Sequence, residues 1–289
     1  MTLLEGFLHK IISEDNLKTI ISEELGIANE VRNTSSDIAQ KIMCSIKETP
    51  KQDINFDGVS LREGNFTSEL YGKKVFINYH YYNFRDYEYY QKFLKKSNVD
   101  LSSQYSVSYR INVISITFYS ISGNINVNDL ADSIYHETSH LYQQIRMGHT
   151  YPDFKENIVV LNNINSEDEY KRMIAIVLYL SKPNEQDSFA NGLYGFICCG
   201  EGVKPYGYKE SEMYANIVKF KNCLDKLIKH PSETTIAMEQ MRLNISFDKF
   251  INDSTKALDI MWRKMGRTII KAHKDLMERG EINIHRYIK

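Results

Sequence analysis

The sequence predicts an α+β fold in which a small mixed or antiparallel sheet packs on one central helix, with helices before it and a helical lobe after it. Three observations lead there. Segments rich in Tyr, Val, Ile and Thr, the residues that suit strands, are confined to the first half of the chain. A stretch over 128–147 carries Leu130, Ile134, Leu141 and Ile145 at spacings of four and seven, which is one apolar stripe on a helix. From Lys209 onward the pattern is helical. At 289 residues and 42% hydrophobic content the chain can bury a substantial core.

In chain order, helical patterns run over 2–46 and stop at the loop Glu48, Thr49, Pro50, Lys51. Residues 59–81 read as strands with Gly64 and Gly72 at turns, and 104–122 as one long strand region. The 128–147 helix follows, with Asn128 or Asp129 as its cap and Gly148 ending it after the basic Arg146. Ser166 and Glu169 form a capping-box pattern that opens a helix through Leu180. Pro183 then suits the first turn of a further helix, with Glu185 just inside it. In the last third Pro231 is a break, Ser232 and either Asp253 or Ser254 are starts, and Gly280 is a stop. The expected division is an N-terminal helical segment (1–50), a core (51–200) and a C-terminal helical lobe (201–289).

Chemistry concentrates in His136-Glu137-Thr138-Ser139-His140. On a helix this spacing sets two imidazoles one turn apart with a carboxylate between them, so the histidines can hold a metal while the glutamate works as a base. At roughly 100° per residue both imidazoles fall opposite the apolar stripe, so the helix can dock by its back and face a cleft with its histidines. A catalytic zinc site usually takes three protein ligands and leaves a fourth position open. The metzincin continuation would place a glycine and then a third histidine further along the same helix, but the chain has Gln143 and Arg146 at those positions. The third ligand is therefore expected downstream, from Glu185 or, less favoured, Asp187 in the helix opened by Pro183.

With these residues the chain resembles the zincin metallopeptidases, and more narrowly the gluzincin-like group, in which a glutamate from a following helix joins the two motif histidines. The resemblance covers 134–144 and 184–191. It implies a zincin-like fold, a bound Zn2+ held by His136, His140 and Glu185, and Glu137 as general base in peptide-bond hydrolysis. It also implies that the strand before the motif helix, over 109–120, forms the cleft edge that pairs with extended substrate, the other reading of this segment being an internal strand covered on both faces. Four positions after the ligand the family often carries an acidic residue or Asn, whereas this chain has Phe189. The G-x-M-E-N motif of aminopeptidases is absent, which favours endoproteolysis.

The bulk properties exclude several partners. A formal net charge of -1 with no long basic block leaves no electrostatic footprint for nucleic acid, and no basic amphipathic segment calls for a membrane surface. A peptide or protein is the expected partner. The segment 1–16, interrupted by Glu5, His9 and Lys10, reads as an amphipathic helix rather than a signal peptide, so the expected compartment is cytoplasmic, with a virion or non-classical export as alternatives. Cys44, Cys198, Cys199 and Cys223 show no metal or disulfide spacing and are expected as reduced thiols, Cys44 as a small buried hydrophobe. His80, in an aromatic run, is expected to be a half-buried strand residue rather than a ligand. A second functional reading is a non-catalytic zinc-binding structural or interaction protein, of phage or bacterial type, that keeps the zincin scaffold. A third is a helical interaction module with a chance motif.

Overall fold

Alternating apolar residues make the sheet. The computed structural model describes residues 29–48, 52–53, 58–96, 105–110, 112–123, 125–147, 154–199 and 207–280. Within these, β1 (Gln52–Asp53), β2 (Val59–Leu70), β3 (Lys73–Phe84), β4 (Tyr105–Arg110) and β5 (Val113–Ile121) form one five-stranded sheet. The spatial order is β1-β2-β3-β5-β4, with β3 and β5 parallel and every other pair antiparallel. Tyr71 and Gly72 both take positive φ, 54° and 68°, as a two-residue hairpin turn between β2 and β3 requires. In β5 the residues Ile114, Ile116 and Phe118 are buried and alternate with half-exposed neighbours, so one face of the sheet carries the core.

Two expectations for this region are corrected. Gly64 lies inside β2, not at a turn; it faces Tyr79, and a Cβ at that position would come within 2.6 Å of the Tyr79 ring. The region 104–122 is two strands, because Asn112 turns the chain at a φ of 56°. As a result β5 is internal, paired with β3 on one side and β4 on the other, and most of the expected edge over 109–120 is not an edge. Among the described residues the outer strands of the sheet are β1 and β4, and β4 lies against the motif helix.

Around the sheet stand α1 (Asn29–Glu48), α2 (Tyr87–Lys96) and α3 (Val127–Met147). From α1 come Val31, Ile38, Ile42 and Ile46, and from α3 come Leu130, Ile134, Leu141 and Tyr142, all buried against Val75, Ile77, Tyr79, Ile114, Ile116 and Phe118. Ile145 packs at the margin of the same core. Cys44 falls two residues past Ile42, on the outward side of α1, and is exposed rather than buried. His80 is half-exposed on β3, 3.7 Å from Glu63.

A second core is wholly helical. It is built by α5 (Glu169–Leu180), α6 (Pro183–Cys198), α7 (Glu212–Lys229), α8 (Pro231–Gln240) and α9 (Phe247–Glu278), with α4 (Phe154–Asn163) packed against α5. This core begins at Met173 and runs to Leu276, so it takes in α5 and α6 as well as α7, α8 and α9. Several helix starts differ from the sequence expectation. The cap of α3 is Asn126, whose side-chain oxygen accepts from the N–H groups of Asn128 and Asp129. The cap of α5 is Asp168, whose carboxylate accepts from Tyr170 and Lys171, while the Ser166 hydroxyl accepts from Asp168 itself. Ser246 caps α9, and Asp253 and Ser254 lie inside that 32-residue helix. Pro183 and Pro231 each stand in a first turn, where the missing N–H costs nothing. The expected helix over 1–16, His9, His285 and the Gly148 stop lie outside the described residues. No described helix is long and apolar enough to cross a membrane.

Candidate metal centre

The two cores meet where α3 crosses α6. Small residues let the helices approach: a Cβ on Gly192 would lie 2.1 Å from an Asp132 carboxylate oxygen, and one on Gly195 would lie 2.5 Å from the Tyr135 ring. Thr138 and Ser139, the two middle residues of the motif, are fully buried and turn their hydroxyls back onto the carbonyls of Ile134 and Tyr135. Asn191 reaches across from α6 and donates to the Tyr135 carbonyl at 2.6 Å.

With its apolar stripe on the sheet, α3 presents His136 and His140 to α6, both buried. Their Nε2 atoms are 3.0 Å apart. From the first turn of α6, Glu185 brings Oε2 to 3.3 Å from the His140 Nε2 and 3.9 Å from the His136 Nε2. A triangle with these sides has a circumscribed radius of about 2.0 Å, so one point lies at a zinc-ligand bond length from all three donors. Two imidazoles and one carboxylate are one of the donor sets that hold catalytic zinc. The residues fit the ion that the resemblance implies. Among the described residues this is the one group of three or more His, Cys, Asp or Glu side chains close enough together to hold a metal.

Asp187 is not part of it. Two residues along the helix from Glu185, it points in a different direction, and its carboxylate pairs with Lys264 of α9. Phe189, four residues after Glu185, packs its ring on the His136 ring with centroids 4.6 Å apart. The Nδ1 of His136 is buried without a hydrogen-bond partner. His140 is held differently: its Nδ1 lies 3.2 Å from the Gln143 side-chain oxygen and 3.3 Å from the Ser188 hydroxyl. Glu185 is fixed by Tyr179, whose hydroxyl donates to Oε2 at 2.8 Å. Gln143, Ser188 and Tyr179 are not among the site residues that the sequence singles out. Helical spacing marks Gln143, one turn past His140, but nothing in the sequence marks Tyr179, which reaches Glu185 only because Ser181 and Lys182 turn the chain back.

The charges of the site follow from burial. Burial drives the His136 imidazole down to about 3, and the neighbouring His140 adds to this. Burial also acts against charge on His140, but Glu185, Glu137 and Gln143 together outweigh it and raise that group. Glu185 is lowered in turn, since bonds from His140 and Tyr179 outweigh its burial. Glu137 is not one of the converging donors. Its carboxyl is pushed up to about 7, chiefly by burial and further by Glu185 and Glu212, with His140 opposing. A carboxyl in that range can hold or release a proton near neutral pH. Comparison of the chain with protein-family models, with curated proteins and with solved structures finds no match.

Proposed function

We propose that this chain is a zincin-like, zinc-dependent metallopeptidase. The observation that carries the reading is the convergence of His136, His140 and Glu185 on one point at bonding distance, with Glu137 beside it in sequence but outside the donor set. His136 and His140 would hold the ion through Nε2, and Glu185 through Oε2. When bound, the ion supplies a Lewis acid that lowers the pKa of water and polarises a carbonyl.

The chain's own residues supply the rest. Glu137, one position past His136 on a rigid helix, takes a proton from the attacking water and hands it to the leaving amine. Buried Phe189 and the helix crossing keep bulk water off the inner side of the histidines. The substrate is a peptide or protein, and β4, outermost among the described strands and beside α3, offers backbone groups to pair with an extended chain.

The test is zinc analysis together with a peptide-cleavage assay on the wild type and on Glu137→Gln. Stoichiometric zinc in both proteins is expected, with turnover lost by roughly 10²-fold or more in the variant. A wild type that holds zinc yet cleaves no peptide in a diverse library would favour a structural zinc protein instead. A wild type without zinc would overturn the reading.

A further inference from the structure

The geometry points to Gln143 as a positioning residue that fixes the protonation pattern of His140 and ties the histidine helix to the start of the glutamate helix. This rests on the metal-site reading above. The side-chain nitrogen of Gln143 donates to the backbone carbonyl of Asn184 at 3.1 Å. A carbonyl only accepts, so the end of the amide facing Asn184 must be the NH2 end. The oxygen is therefore the end that faces His140, 3.2 Å from Nδ1. An amide oxygen in turn only accepts, so Nδ1 of His140 carries a proton. The lone pair of the neutral ring is left on Nε2, the atom directed at His136 and Glu185.

One amide thus performs two tasks. It selects the form of His140 that can bind through Nε2, and it spans from α3 to the residue immediately before Glu185. Ser188 contributes a hydroxyl near the same Nδ1, but a hydroxyl both donates and accepts and so does not select a form. His136 has no counterpart: its Nδ1 is unpartnered, and its ring is oriented by packing on Phe189. The two histidines are therefore held by different means, and His140 is the one whose orientation a polar side chain controls.

The experiment measures zinc affinity by competition with a chelator, and the His140 ring N–H by NMR of ring-labelled histidine in the zinc-loaded protein. It compares the wild type, Gln143→Leu and Gln143→Glu. In the wild type the His140 Nδ1–H signal is expected to be protected from solvent exchange. Gln143→Leu should weaken zinc binding by roughly 10–100-fold and expose that proton. Gln143→Glu keeps an acceptor for Nδ1–H but cannot donate to Asn184, so it should restore the protected signal and recover only part of the affinity. If Gln143→Leu binds zinc within about twofold of the wild type, the role is overturned while the metal site stands. Affinity lost in both variants with the His140 signal unchanged would overturn it too, because Gln143 would then act through helix packing alone. A wild type that binds no zinc overturns both readings together.

Discussion

Glu185 and Asp187 are two acidic residues in one helical turn, and only their surroundings separate them. Glu185 is buried beside two imidazoles and a tyrosine hydroxyl, whereas Asp187 is partly exposed and paired with Lys264. Glu185→Gln should therefore abolish stoichiometric zinc, and Asp187→Asn should leave it unchanged; metal analysis after dialysis reads both. Asp132, one turn before His136, poses a different question. It is 3% exposed, one oxygen accepts from the Glu212 N–H at 3.2 Å and the other has no partner. Burial, with Glu212 nearby, raises its pKa well above the usual carboxyl value. The folded chain therefore keeps a proton that the unfolded chain releases as pH rises past about 4. Stability from this group is present below that pH and falls as pH rises toward the folded pKa. Asn at this position is neutral throughout and keeps an acceptor for Glu212. In chelator-treated protein, Asp132→Asn should match the wild type near pH 4 and exceed it at pH 8, as read by urea denaturation. Equal differences at both pH values would contradict a proton held by Asp132.

Among the elements, the α3–α6 crossing decides whether a site exists, and its glycines show why ordinary helix propensity misleads here. Replacing a helical glycine by alanine commonly stabilises by about 1 kcal/mol. At Gly195 the added methyl would lie 2.5 Å from the base of the Tyr135 ring and 3.1 Å from the Ala131 carbonyl, neither of which can swing aside. Gly195→Ala should thus destabilise by about 1–3 kcal/mol in denaturant titration, the usual cost of overpacking. A neutral or stabilising outcome would mean that the helices separate freely. Local sequence makes α3 legible, since its apolar stripe and its histidines sit on opposite faces whatever the tertiary partner. It also makes the Pro183 start legible, because proline's fixed φ and missing N–H act within one turn. The caps at Asn126, Asp168 and Ser246 escape the sequence because several Asn, Asp or Ser residues compete at each helix start, and only the three-dimensional path of the chain selects one. The place of β5 is hidden for a related reason: alternating burial looks the same in an internal strand as in an edge strand covered on one face.

At the scale of the molecule, the three donors come from two different cores. His136 and His140 belong to a helix whose back is buried in the sheet core, and Glu185 to a helix buried in the helical core. A bound ion would therefore join the two cores, adding to polar contacts such as those of Asn191, Gln143, Ser188 and Asp132 and to the packing of α3 on α6. Binding to the folded state alone stabilises according to the ratio of free ligand to Kd, about 4 kcal/mol at a thousandfold excess. For a chain of this size that is an upward shift in Tm of roughly 8 °C. Because the ligands lie on both sides of the junction, zinc should raise the unfolding of both cores together in calorimetry, as one transition. His140→Ala should lose the shift, and its zinc-free Tm should fall below that of the wild type, because Glu185 is left buried without the imidazole that holds its charge. If zinc moved only one of two resolved transitions, the ion would be held within one core and the junction would not be the site.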